Sequence, residues 1–371
     1  MQDRREKASF GLFVMQFTFI MICMGLLLVF SSLLAAWLSK SIFHVDFSTI
    51  LTSTTNNTIN ALRFSQVITM LLTFGVAAFL FPTIVREKAV SFLGIKKKPL
   101  LFDLFMATLL FIAVLPAIES LVRVNEAMKL PSYFHAVEAY MRSMEMKLAS
   151  QVDLLLTMNS FSDFLLVIGV VALVPALAEE FFFRGFLQQF FQKWVKSAHV
   201  AVIITAFIFS TVHMQFFGFL PRFLLGLLLG YLFLYSQRIW TSVYFHFINN
   251  LSNILYLYIF KEYAFFNKAE HFMRESNLIS IVSLGIAAAI FLFLANYYSR
   301  KYKNRNSWIK VFSTSSLPEA EIIKGKLESG EINAVIVNKR DSVYPSHGTI
   351  EVMVNKADEE LAKEILARND E

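Results

Sequence analysis

The sequence predicts an all-α polytopic membrane protein of about eight transmembrane helices, followed by a small C-terminal α+β soluble domain. Three observations carry this fold class. The chain of 371 residues is 56% hydrophobic and holds 40 phenylalanines, against roughly 45–50% apolar residues in ordinary soluble domains. Its mean hydropathy is +0.55. Apolar runs of about 20 residues, enough to cross a ~30 Å hydrocarbon core, recur along it. The runs are unbroken rather than alternating, so helices and not barrel strands must satisfy the backbone in lipid.

The predicted spans are residues 10–38, 66–85, 100–122, 161–183, 200–217, 223–234, 241–260 and 278–297. The first follows Arg4, Arg5 and Lys7 and is too long for a signal-peptide core, so it reads as a retained span. It contains Cys23, the only cysteine, which excludes an intramolecular disulfide or a cysteine metal cluster. The sixth span is the shortest and its bounds are the least sharply drawn. Basic residues flank alternate spans: Arg86, Lys88 and Lys96–Lys98 after the second, Lys193 and Lys196 after the fourth, Arg238 after the sixth, and Arg300, Lys301, Lys303 and Arg305 after the eighth. This positive-inside pattern predicts that both termini are cytoplasmic. The net charge of +6 thus reports topology and contact with membrane lipids rather than nucleic-acid binding.

Residues 125–153 mix Met, Lys, Glu and His with helical periodicity, which predicts an amphipathic helix on the outer face, serving as a connector or a substrate lid. Beyond Arg305 the texture becomes soluble. Strands are predicted at 308–312, 332–337 and 349–354, with helices from Pro318 to a stop at Gly330 and over 357–367. The resulting organisation is 1–160, N-terminal helices and outer segment; 161–305, a second transmembrane region; and 306–371, a small βαββα domain without a nucleophile–base pair.

Three polar clusters interrupt the apolar second half. The first is Glu179, Glu180 and Arg184; the second joins Phe209 to His213; the third joins His246 to Asn250. Ionisable groups inside a span cost roughly 2.5–3.5 kcal/mol each at the bilayer centre, so they are functional by default. Residues four apart share a helix face, so Glu180 and Arg184 form a pair with a structural role. Glu179 is rotated about 100° away and is left without a partner on its own helix, which suits general-base work in a site of low dielectric. Two imidazoles and an amide beside it can hold a water or a metal ion, or donate to a developing oxyanion. Set against this, an intramembrane histidine can simply be a packed polar residue hydrogen-bonded across helices. Phe209 reads as a packing residue that shapes the wall beside His213, and Asn250, not Asn249, shares the His246 face. The chain has no H-E-x-x-H zinc motif, no G-x-S elbow and no G-x-G-D.

E-E-x-x-x-R, F-x-x-x-H and H-x-x-x-N, in this order on successive late spans, resemble the CPBP (Abi) family. It comprises type II CAAX prenyl endopeptidases and bacteriocin-processing or immunity proteins of bacteria. The resemblance covers roughly residues 161–260. It implies that Glu179 activates water with the help of His213, that His246 and Asn250 stabilise the oxyanion, and that Glu180, Arg184 and Phe209 support them. The substrate would be a membrane-associated peptide or protein tail, in a bacterial inner membrane. The family is described as both glutamate-type and metallo-, and zinc held by Glu179, His213 and His246 is the metal alternative. The tail resembles a small bacterial signal-transducing domain, which implies a cytoplasmic protein partner. Two rival readings remain: a non-catalytic immunity or signalling scaffold, and a proton-coupled transporter, although the first half lacks the repeat a transporter would show.

Overall fold

The computed structural model describes residues 2–46, 55–260, 268, 271–272, 276–305, 308–330, 332–339 and 349–367. They form two units, Met1–Phe291 and Leu292–Glu371.

In the first unit the helices are α1 (Gln2–Phe43), α2 (Asn56–Val85), α3 (Leu101–Glu126), α4 (His135–Leu155), α5 (Phe161–Val195), α6 (Ala198–Thr211), α7 (Phe219–Ser236) and α8 (Ile239–Leu255), and α9 (Asn277–Arg305) begins there. Side chains cap several starts. Thr55 accepts the Thr58 N–H at 3.3 Å and Ser160 accepts the Asp163 N–H at 3.1 Å, each satisfying a helix-end donor. Among the described residues, six helices are long and apolar enough to cross a membrane: α1, α2, α3, α5, α7 and α9.

The fifth and sixth predicted spans exchange their lengths. The run over 200–217 holds a helix of only 14 residues, α6, because the chain turns at His213 and Met214; the Met214 backbone is left-handed (φ 54°) and its N–H returns to Thr211 O at 3.0 Å. Hydropathy cannot register that turn, since Phe216 and Phe217 continue the apolar run. The sixth, predicted as the shortest, has 18 residues as α7. Pro221 falls in its first turn, where a missing N–H leaves no bond unmade.

The ends of the bundle carry different connections. At one, Lys193 reaches Val85 O at 3.4 Å and Glu87 at 3.2 Å, Arg238 donates to Lys98 O at 2.8 Å, and Trp240 donates to Ile95 O at 2.7 Å. The predicted basic loops therefore gather there. At the other end, buried Arg63 of α2 donates to Leu155 O at 3.2 Å and to Thr157 O, and pairs with Asp163 at 3.6 Å. There α4 covers the turn after His213: Glu145 accepts the Phe217 N–H at 3.2 Å, and the Arg142 guanidinium sits 4.0 Å from the Phe217 ring centroid. Glu138 of α4 is held below the usual carboxylate range, first by the Leu130 N–H and then by Arg142.

Phenylalanines fill the interior around α5. Phe182, Phe183, Phe186 and Phe190 pack with Phe81 and Phe209. Helices α6 and α7 approach through Gly226: a Cβ there would lie 3.0 Å from Ala206 Cβ and 3.1 Å from its Cα. Small residues commonly permit such contact between membrane helices.

The second unit contains β1 (Trp308–Thr314), α10 (Leu317–Ser329), β2 (Ala334–Asn338), β3 (Ile350–Asn355) and α11 (Glu359–Ala367). The sheet order is β1-β3-β2, antiparallel throughout, with Ile309 opposite Val354 and Ala334 also opposite Val354. Ser316 caps α10, Pro318 sits in its first turn and Gly330 ends it. Leu327, Ile332, Ile350, Val352 and Val354 form the core of this βαββα domain.

Candidate active site

The site starts from a break in helix regularity. Within α5, Ile168–Leu173 and Phe181–Gln188 are π-helical, and the second stretch begins immediately after Glu180. Such widened turns favour functional positions.

Glu180 is fully buried, and its Oε1 accepts two bonds, from Arg184 Nη1 at 2.6 Å and from His246 Nδ1 at 2.8 Å. Arg184 continues to Gly226 O at 3.2 Å, and its guanidinium lies 4.5 Å from the Phe209 ring centroid. A carboxylate, a guanidinium and an imidazole thus tie α5 to α7 and α8. The pair on one helix was legible in the sequence; the third partner, His246, was not. Glu180 both anchors the helix and aims the histidine.

Glu179 is in a different situation. It is 4% exposed; its Oε2, like that of Glu180, accepts no hydrogen bond among the described residues, and it lacks the arginine pair that Glu180 has through Oε1. Nε2 of His246 lies 3.9 Å from Glu179 Oε2, too far for a direct bond.

The partners of the two imidazoles fix which ring nitrogen carries a hydrogen. His213 follows the last turn of α6, and its Nδ1 is 2.8 Å from Phe209 O. A carbonyl only accepts, so Nδ1 carries the hydrogen and Nε2 of the neutral ring presents a lone pair. His246 likewise donates from Nδ1, here to the Glu180 carboxylate, an anionic acceptor that can also hold the imidazolium form. The Phe209 ring packs edge-on to both, with centroid distances of 5.0 Å and 6.1 Å.

Asn250 donates through Nδ2 to Val171 O at 3.2 Å and accepts from Asn249 Nδ2 at 3.2 Å. Both bonds fix the amide with its second N–H still available. Contrary to the sequence reading, Asn249 also lines the site. It is three residues after His246, and i,i+3 neighbours share a face nearly as well as i,i+4 ones.

Glu179, Phe209, His213, His246 and Asn250 border one cavity of about 270 Å³. Arg222 of α7 lines it too and belongs to none of the three motifs. The sequence did hold a signal for it: a cation at the end of its span away from the basic loops. The wall is buried at Leu229, Phe245 and His246 and becomes exposed at Asn253, about 14 residues or ~21 Å along α8 from its start. The cavity therefore opens away from the end where Lys193 and Arg238 lie.

The same donors bear on a metal ion. Imidazole Nε2 atoms whose Nδ1–H groups are held by a carbonyl and a carboxylate are the usual presentation to zinc. Among the described residues, however, no three His, Cys, Asp or Glu side chains converge at a spacing that holds an ion. The described residues therefore do not fit a three-residue metal site.

Residues 161–252 match the family described as Type II CAAX prenyl endopeptidase Rce1-like. Residues 308–370 match the family described as "Putative prokaryotic signal transducing protein". Both agree with the resemblance drawn from the motifs and the tail. No curated protein and no solved structure matches the chain. At family level the first match supports an intramembrane endopeptidase.

Proposed function

We propose that the protein hydrolyses a peptide bond in a membrane-associated peptide or protein tail, with Glu179 as the general base. One observation carries this reading. A buried carboxylate oxygen without a hydrogen bond shares a cavity with two imidazoles whose Nδ1 atoms are already committed. A water placed there donates one hydrogen to Glu179 Oε2 and the other to His213 Nε2, which leaves its lone pair for a carbonyl carbon. Glu179 takes the proton as the hydroxide adds. The resulting oxyanion receives the second N–H of Asn250 and Nε2–H of His246.

His246 donates from Nε2 only as the imidazolium, and the Glu180 carboxylate on Nδ1 stabilises that form, as the buried carboxylate of a hydrolase triad does. The proton then passes from Glu179 to the departing nitrogen. The protein works in a bacterial inner membrane with its basic loops and both termini in the cytoplasm, and its C-terminal domain engages a cytoplasmic protein.

The test is cleavage of candidate membrane peptides by protein purified in detergent. Glu179→Gln should abolish cleavage, and a chelator should leave it intact. Cleavage that survives Glu179→Gln overturns the assignment, while loss on chelation and recovery with zinc overturns the metal-free chemistry.

A further inference from the structure

The wall of the cavity holds a charge that this hydrolysis does not use. Arg222 lies in the first turn of α7, half-buried, among the same lining as Glu179 and His246. Its guanidinium donates only to neutral oxygens of Gln215, the backbone O at 3.5 Å and the side-chain Oε1. Other arginines of this unit have carboxylates close by: Arg63 at 3.6 Å, Arg142 at 2.8 Å, Arg184 at 2.6 Å and Arg238 at 3.7 Å. Among the described residues Arg222 has none within ion-pair distance.

Its position is held by the turn beneath it. A Cβ on Gly218 would lie 2.4 Å from Arg222 Nη1 and 2.9 Å from Cζ, so the backbone lies flat against the guanidinium. That turn is itself secured: Asn125 donates to Phe216 O at 2.9 Å and accepts the Leu220 N–H at 2.7 Å.

A guanidinium fork without an anion, partly withdrawn from solvent, is built for bidentate contact with a carboxylate. The cavity already contains one acid, Glu179, which repels a second unless a cation receives it. We propose that Arg222 binds the free C-terminal carboxylate of the substrate tail and so sets how far from the chain end the bond is cut. This rests on the endopeptidase reading. Since Arg222 and Glu179 line one cavity of about 270 Å³, only a short stretch of peptide fits between the terminus and the scissile bond. Hydrolysis adds water across that bond: the longer fragment gains a carboxylate, and the short one leaves with a new amine and the carboxylate it arrived with.

The experiment compares two peptides of identical sequence, one ending in a carboxylate and one in a carboxamide, on the full-length protein in detergent. Hydrogen bonds to charged groups are worth roughly 1.5–3 kcal/mol, so the wild type should favour the carboxylate by about 10- to 100-fold in kcat/KM. Arg222→Gln should remove that preference through a rise in KM on the carboxylate peptide about 10- to 100-fold larger than any change on the carboxamide. Arg222→Lys should keep part of it. Gly218→Ala, which displaces the guanidinium without deleting it, should fall between. Equal cleavage of both peptides by the wild type, or an equal loss on both in Arg222→Gln, overturns the proposal. Binding of the two peptides to Glu179→Gln protein reads the same preference without hydrolysis. A wild type that cleaves neither peptide overturns the endopeptidase reading, and the binding preference still decides the role of Arg222.

Discussion

Adjacent glutamates on α5 face two regions of opposite character. Below Glu180 lies a closed cluster in which Arg184 and His246 share one carboxylate oxygen, wholly within the packing of α5, α7 and α8. Beside Glu179 lies an open cavity in which its Oε2 accepts no hydrogen bond among the described residues, His213 and Arg222 bond backbone or neutral oxygens, and His246 alone reaches across to the closed cluster. The first region carries its own countercharge, as buried ions must. The second leaves its charges for something that arrives. On the proposed function, a rotation of about 100° between consecutive residues therefore separates a structural acid from a chemical one.

The contrast breaks most clearly in paired substitutions. Glu179→Gln should lower kcat by about 10²- to 10⁴-fold with the thermal midpoint in detergent unchanged. Glu180→Ala should strike stability as well, removing roughly 3–5 kcal/mol by leaving Arg184 buried without a carboxylate, in addition to the kcat lost by releasing His246. A Glu180→Ala protein as stable as the wild type would show that the closed cluster is not structural.

Asn250→Ala, which removes one oxyanion donor, should lower kcat by about 10²- to 10³-fold. Asn249→Ala, which removes only a bond to Asn250, should cost less than roughly tenfold by the same reasoning. Equal effects would assign both amides to the reaction. Next, Gly226→Ala should destabilise by about 1–3 kcal/mol through overpacking against Ala206, and should lower activity only as far as Arg184 is displaced; a denaturation series against activity separates the two. The last test involves no energy. In a Cys23→Ser background, Asn253→Cys should react in intact cells with a membrane-impermeant maleimide, and Gln237→Cys only after permeabilisation. The opposite pattern would put the mouth of the cavity on the cytoplasmic side.

Much of this architecture was legible because its signals are local. Length and apolarity mark the spans, and i,i+4 spacing pairs Glu180 with Arg184 within one helix. Phe209 and His213 illustrate the same point, since the His213 Nδ1–H bond runs to the carbonyl four residues back. What crosses between helices was not legible. The bond from Glu180 to His246 spans 66 residues, and no periodicity encodes it. The early end of α6 was hidden for a different reason: Met214 adopts a left-handed backbone without a glycine to announce it. Arg222 went unread because it stands alone in a leucine-rich segment, outside any repeating motif.

That early end has a consequence for supply. A helix of 14 residues rises only ~21 Å, short of a ~30 Å hydrocarbon core. The chain thus doubles back while still at membrane depth, and its turn must be satisfied there: Ser210 donates to Phe219 O at 2.7 Å, beside the bonds from Asn125 and Glu145. Irregular backbone at that depth persists only where protein shields it or where it borders an aqueous space. Hydrolysis consumes one water for every bond it breaks, in a solvent that holds almost none. On the proposed function, the early end of α6 is what brings a wet boundary down to His213 and makes hydration a property of the fold.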